Sequence, residues 1–267
     1  MIYNRSVDPI DLLNLKLWFS RYCKSFSSDN EEERKNYALK ELHSQNVAAN
    51  MLSIAQAVLQ NRNKVLIAEA IGLLHDIGRF SQYAQYRTFR DSDSVNHGRL
   101  GAEVIEGNNV LSSLPLGEQE LILDAVRFHN AYAIPEGLDP DKKFFLKMIR
   151  DADKLDIWRV FAEYYEKDPS ERESAAGLGL PDRPEYSDNV LACLIEKRLS
   201  RLSDLKTLND FGIMQLTWVY DLNFPISFRL ASERGHIDRI ISILPQTEKI
   251  SRAASTLREY MKNRASQ

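Results

Sequence analysis

An all-α fold is predicted, on three observations. Apolar residues recur at helical spacing along almost the whole chain, no convincing run of period-two alternation bounded by hairpin turns is present, and several apolar stretches carry helix start or stop residues. The first long helix is expected from about Ser28 to Leu59. Ser28 with Glu31 has the form of a capping box, and Leu39, Leu42, Val47, Met51, Ile54 and Val58 trace a stripe with His43 on or beside it. The next runs from Val65 to Ile77 and is apolar nearly all round, which buries it, with His75 and Asp76 inside and Gly78 as its stop. Residues 78–96 turn polar, aromatic and charged, and read as a long ordered loop of the kind that more often serves function than connection. Helical periodicity returns at His97–Glu106, Gly117–His129 and Asp141–Tyr165. After a Gly/Pro-rich break at 177–184, helices are expected near 188–202, 208–221, 224–243 and 247–264.

The chain has 267 residues, 43% of them hydrophobic, with 35 Lys and Arg against 38 Asp and Glu. A core of useful size forms at that length without disulfide or metal staples, as one large domain or one with an appended subdomain. A net charge of −3 argues against a general nucleic-acid binder or a binder of acidic membranes. Cys23 and Cys193 stand far apart with no CxxC spacing, which excludes a cysteine zinc site and a disulfide scaffold. The N-terminus lacks an apolar signal core, and no stretch approaches the roughly 20 apolar residues of a membrane span. A cytoplasmic location is the expectation.

Four of the five histidines fall in the first half, His43, His75, His97 and His129, each on or at the end of a predicted helix. Buried imidazoles need partners, and four on neighbouring helices are most simply satisfied by a shared cation. Asp76 on the nearly all-apolar helix would otherwise carry an uncompensated charge inward. A second acidic cluster, Asp151, Asp153 and Asp156, interrupts an apolar helix, and its period selects Asp153 as the inward acid. Imidazole nitrogen with carboxylate oxygen suits Mn, Fe, Co, Ni or Zn rather than Mg or Ca.

The order His43, His75-Asp76 and a distant Asp153, in the contexts His75-Asp-Ile-Gly-Arg79 and Arg150-Asp-Ala-Asp153-Lys-Leu-Asp, resembles the HD-domain superfamily of metal-dependent phosphohydrolases. The resemblance covers roughly residues 35–165 and implies a metal-binding helical core over 1–170, with a C-terminal helical extension over 171–267. It implies one divalent metal held by His43, His75, Asp76 and Asp153. His97 and His129 correspond in order to the extra histidines of the two-metal branch, where Asp76 would bridge the ions. Some two-metal members carry a His-His pair where this chain has His129-Asn130. Two divalent ions less two aspartates leave a charge of +2, which favours a bound hydroxide and an anionic substrate.

The expected function is therefore hydrolysis of a phosphate ester or anhydride, in a nucleotide or a small phosphorylated metabolite, by a metal-bound hydroxide. Asp76 and Arg79 are the expected catalytic residues. A basic residue at the Arg79 position is associated, in the family's HDIGK/R variants, with the substrate phosphate; on position alone Arg79 reads equally as a surface residue at a helix end. Lys154 either pairs with Asp151 or steers a phosphate. Arg90, with Arg87, Arg99, Asp91 and Asp93, forms a lid over the metals with a substrate-side role, or an exposed charge network. Glu69 either orients a ligand histidine or reaches solvent or an arginine. His236 reads as a surface or helix-start residue, and Trp218, Tyr220 and Phe224 as core. The rival functions are a di-iron oxygenase with a similar ligand order and a nucleotide-sensing module without turnover.

Overall fold

The structure, a computed structural model, describes residues 6–173 and 175–267. Among them there is no strand, so the all-α expectation holds, and no helix is long and apolar enough to cross a membrane. The chain divides into two compact units, one ending at Asp153 and the other beginning at Lys154.

In the first unit, α1 (Pro9–Lys24) starts on a reciprocal cap: Asp8 accepts from the Asp11 amide at 3.0 Å, and Asp11 accepts from the Asp8 amide at 3.1 Å. The N-cap of helix α2 (Glu31–Val58) lies two residues beyond the expected one. Asn30 is its N-cap, accepting from the Glu33 amide at 3.2 Å, while the Ser28 hydroxyl accepts from the Asn30 amide and fixes the turn before it. Asn61 caps α3 (Arg62–Leu74). The chain then makes a tight turn through His75, Asp76 and Ile77 and enters α4 (Gly78–Tyr86).

Gly78 therefore opens a helix instead of closing one. A Cβ there would lie 2.3 Å from the His97 carbonyl oxygen and 2.6 Å from the Gly101 nitrogen, so glycine is required by the close approach of α4 to α5 (His97–Gly107). The expected 78–96 loop is thus half helix: α4 buries Phe80, Gln82 and Tyr83, and only the remainder, with a 3₁₀ turn at Asp91–Asp93, is irregular. Asn96 caps α5 by accepting from the Arg99 amide at 2.9 Å, which puts His97 at its first position. Helices α6 (Leu116–Phe128) and α7 (Pro140–Glu166) follow, close to their expected spans. The core here holds Met51, Ile54, Ile71, Leu74, Ile77, Phe80, Ile105, Ile122 and Phe145.

The second unit contains the end of α7 and α8 (Asp188–Ile195), α9 (Leu208–Thr217), α10 (Pro225–Arg234), α11 (His236–Ile243) and α12 (Glu248–Ala265). Two expectations are corrected. The helix expected over 188–202 stops at Ile195, and the one expected over 224–243 is two helices, because Gly235 adopts a left-handed conformation (φ 67°) between them. Phe224 is buried, and Tyr220 packs on Tyr260 and donates to the Leu194 carbonyl, which gives these aromatics a packing role. His236 starts α11, with its Nδ1 3.1 Å from the Arg239 guanidinium.

Candidate metal centre

Five side chains from four places in the first unit converge: His43 on α2, His75 and Asp76 in the turn after α3, His97 at the start of α5 and His129 at the end of α6. All five are buried. Asp153, on α7, joins them and is partly open to solvent. The buried amide of Asn50, two turns along α2 from His43, donates to the Ala152 carbonyl at 2.9 Å and ties α2 to the segment that carries Asp153.

The hydrogen bonds decide which ring nitrogen faces inward. His75 Nδ1 lies 2.8 Å from the Gly72 carbonyl, and His129 Nδ1 lies 2.8 Å from the Val126 carbonyl. A carbonyl only accepts, so both Nδ1 atoms carry the proton and both Nε2 atoms present lone pairs. His97 Nδ1 likewise donates to the Asp91 carboxylate at 2.8 Å. Burial, helped by the Arg79 charge, pushes the His97 pKa down to about 3, so its Nε2 is unprotonated at neutral pH. Burial also lowers that of His75.

These lone pairs point at one another. His97 Nε2 is 3.0 Å from His129 Nε2, with Asp76 Oδ1 at 3.3 and 3.7 Å from the two. On the other side, His75 Nε2 is 3.3 Å from His43 Nε2; Asp153 Oδ1 lies 3.1 Å from His43 and 3.6 Å from His75, and Asp76 Oδ2 lies 3.6 and 3.9 Å from them. Asp76 thus turns one oxygen to each imidazole pair. Burial works to raise the Asp76 pKa, yet Lys40, His75 and Arg79 outweigh it and hold the carboxyl well below the usual range. His43 and His75 do the same for Asp153 against its own burial.

Around His97, His129 and Asp76, acceptors packed this closely without a proton between them repel unless a cation lies among them. Two ligands at about 2.1 Å from a common ion stand about 3.0–3.9 Å apart for angles between roughly 90° and 135°, which is the range found in both groups. The residues present therefore fit bound metal, in overlapping groups of His43, His75 and Asp76; His75, His129 and Asp153; and Asp76, His97 and His129.

Residues 42–170 match the family model of the HD domain. This segment belongs to the HD-domain superfamily. Comparison with curated proteins and with solved structures gives no match. The matched segment of the HD domain contains every residue of the cluster, from His43 to Asp153.

The remaining predicted site residues of the HD domain fall in different places. Arg79 lies beside Asp76, its Nε 3.4 Å from Oδ1 and buried without a hydrogen bond, while its Nη1 donates to Gln82, to the Phe89 carbonyl and to Asp91. Arg90 is half-exposed and 3.5 Å from Asp93. Lys154 lies 2.8 Å from Asp221. Glu69 turns away from the histidines to Lys16, at 2.5 Å.

Three groups in the site are not found by sequence reasoning. Lys40 donates to Asp76 Oδ2 at 2.8 Å and sits over the Phe89 ring; its place three residues before His43, on the same helix face, was the available signal. Asp91 orients His97, and Asn130 donates to Asp91 at 3.0 Å. The second residue of the His129-Asn130 pair thus supports a ligand.

Proposed function

We propose that this HD domain is a phosphohydrolase that uses two divalent transition-metal ions, from among Mn, Fe, Co, Ni and Zn, to cleave a phosphate ester or anhydride of a nucleotide or small phosphorylated metabolite. The observation that carries this reading is Asp76 set between two pairs of facing imidazole Nε2 atoms. Ions bound there would acidify a water and polarise a phosphoryl oxygen.

The chain's own residues supply the rest. His43, His75 and Asp153 would hold one ion, His97 and His129 the other, and Asp76 both. The Gly72 and Val126 carbonyls keep His75 and His129 in the tautomer that presents Nε2. Lys40 and Arg79, each against one oxygen of Asp76, are placed to balance the negative charge that a phosphate brings to the site.

The test is to load the purified protein with Mn²⁺ and screen phosphomonoesters, cyclic nucleotides and nucleoside triphosphates for phosphate release, alongside Asp76→Ala. Turnover by the wild type and none by the variant, together with loss of metal from the variant, is the expected result. Full activity in Asp76→Ala refutes the reading. Oxygen uptake by the iron-loaded protein without phosphate release would assign it to oxidation, and tight nucleotide binding without product would assign it to sensing.

A further inference from the structure

The three histidines whose Nδ1 partner is defined do not lean on equal supports. His75 and His129 donate to backbone carbonyls, which are neutral dipoles. His97 donates to a full negative charge, with both Asp91 oxygens 2.8 Å from Nδ1. The two imidazoles that meet at 3.0 Å, His97 and His129, are therefore unequal ligands. A carboxylate behind an imidazole raises the basicity of the opposite nitrogen and fixes the ring plane.

Asp91 is itself held from several sides. Its Oδ1 accepts from Arg79 Nη1 at 3.0 Å and from Gln82 Nε2 at 2.9 Å, and its Oδ2 accepts from Asn130 Nδ2 at 3.0 Å. Gln82 is fully buried and donates further to Ser94 and the Val95 carbonyl, so it fastens the irregular segment carrying Asp91 to α4. Arg79, on α4 like Gln82, and Asn130, in the turn after His129, reach the same carboxylate. Two chain segments agree on where Asp91 sits, and Asp91 decides where His97 points. Nothing comparable stands behind His75.

We propose that Asp91 is a positioning residue for the ion held by His97, His129 and Asp76, and that its charge sets this ion's affinity separately from that of the ion held by His43, His75 and Asp153. The inference rests on the two-ion reading of the centre but not on the reaction assigned to it.

The test is a calorimetric titration of the metal-free full-length protein with Mn²⁺ alone, with elemental analysis of the stoichiometry, for the wild type, Asp91→Asn and Asp91→Ala. The wild type is expected to bind two ions. Asp91→Asn keeps an oxygen acceptor for His97 and removes the charge; it is expected to weaken one binding step about 10- to 100-fold and leave the other within about twofold. Asp91→Ala removes the acceptor as well and is expected to weaken that same step further. The His97 Nδ1 proton, read by nitrogen-edited NMR on the histidines, is expected to persist in Asp91→Asn and to be lost to exchange in Asp91→Ala.

The near-isosteric Asp91→Asn guards against a folding artefact, since an unchanged strong step reports an intact centre. Wild-type binding in both variants, equal weakening of both steps, or a single ion in the wild type would overturn the proposal. No substrate enters the titration, so a protein that binds as expected and hydrolyses nothing refutes the proposed reaction and leaves the role of Asp91 standing.

Discussion

Gly78→Ala tests how the fold holds the centre. The added Cβ would lie 2.3 Å from the His97 carbonyl oxygen, 2.6 Å from the Gly101 nitrogen and 3.0 Å from the Gly101 Cα. All three are backbone atoms, which cannot swing away as a side chain can. Relief to ordinary contact requires α4 and α5 to separate by about 1 Å at this crossing. Overpacking of this kind costs roughly 1–3 kcal/mol, here towards the upper end, and alanine's better helix propensity returns about 1 kcal/mol at most. A net loss of about 2 kcal/mol lowers Tm by about 4–8 °C for a chain of this size. Because the displaced carbonyl belongs to His97 itself, a shift of about 1 Å exceeds the roughly 0.5 Å tolerance of a preorganised site. Thermal unfolding of the metal-free protein and a Mn²⁺ titration measure the two effects. A variant that melts within about 1 °C of the wild type and binds both ions normally would refute the packing argument.

Two further outcomes are expected. In the metal-free protein, His75 and His97 have pKa values held below the ordinary 6.5, so below that pH the unfolded chain takes up protons that the folded chain refuses. Their contribution is complete above 6.5 and is lost as pH falls towards 3, by up to about 1.4 kcal/mol per pH unit for each proton; the lowered Asp76 and Asp153 extend the loss below 3.8. Denaturant unfolding that gave the same stability at pH 7 and pH 5 would contradict this. Asn50→Ala removes the buried donor to the Ala152 carbonyl and is expected to cost about 1–3 kcal/mol in the same assay, with no change showing that this tie carries no stability.

Helices α2, α3, α5, α6 and α7 were legible because each buries an apolar stripe at helical spacing. Helix α4 was not. Its buried face mixes Phe80 and Tyr83 with Gly78 and Gln82, and Gln82 Nε2 donates to Asp91, Ser94 and Val95, residues well beyond the helix. Periodicity of apolar residues cannot register a helix whose buried face is held by such long-range hydrogen bonds. Gly78 misled for a related reason: its purpose is the contact with α5, which local sequence does not encode. The break at Gly235 left only a single glycine as its signal.

For the site, the residue types announced themselves. Four histidines and an aspartate on apolar helices are costly to bury without a common cation, and all of them meet at one cluster together with Asp153, although period alone did not separate it from Asp151 and Asp156, which are buried more deeply. The supports were hidden. Asp91, Asn130 and Asn50 are ordinary loop or helix residues in sequence, and only the packing of α4, α5 and α6 turns the first two towards His97, as that of α2 on α7 turns Asn50 to the segment carrying Asp153.

The most direct measurement is the anomalous diffraction of wild-type crystals grown with Mn²⁺. Two peaks are expected, one among His43, His75 and Asp153 and the other between His97 and His129, with an oxygen of Asp76 beside each. Crystals soaked to saturation that show no ion in this cluster, or that hold Mn²⁺ only elsewhere on the protein, would contradict this.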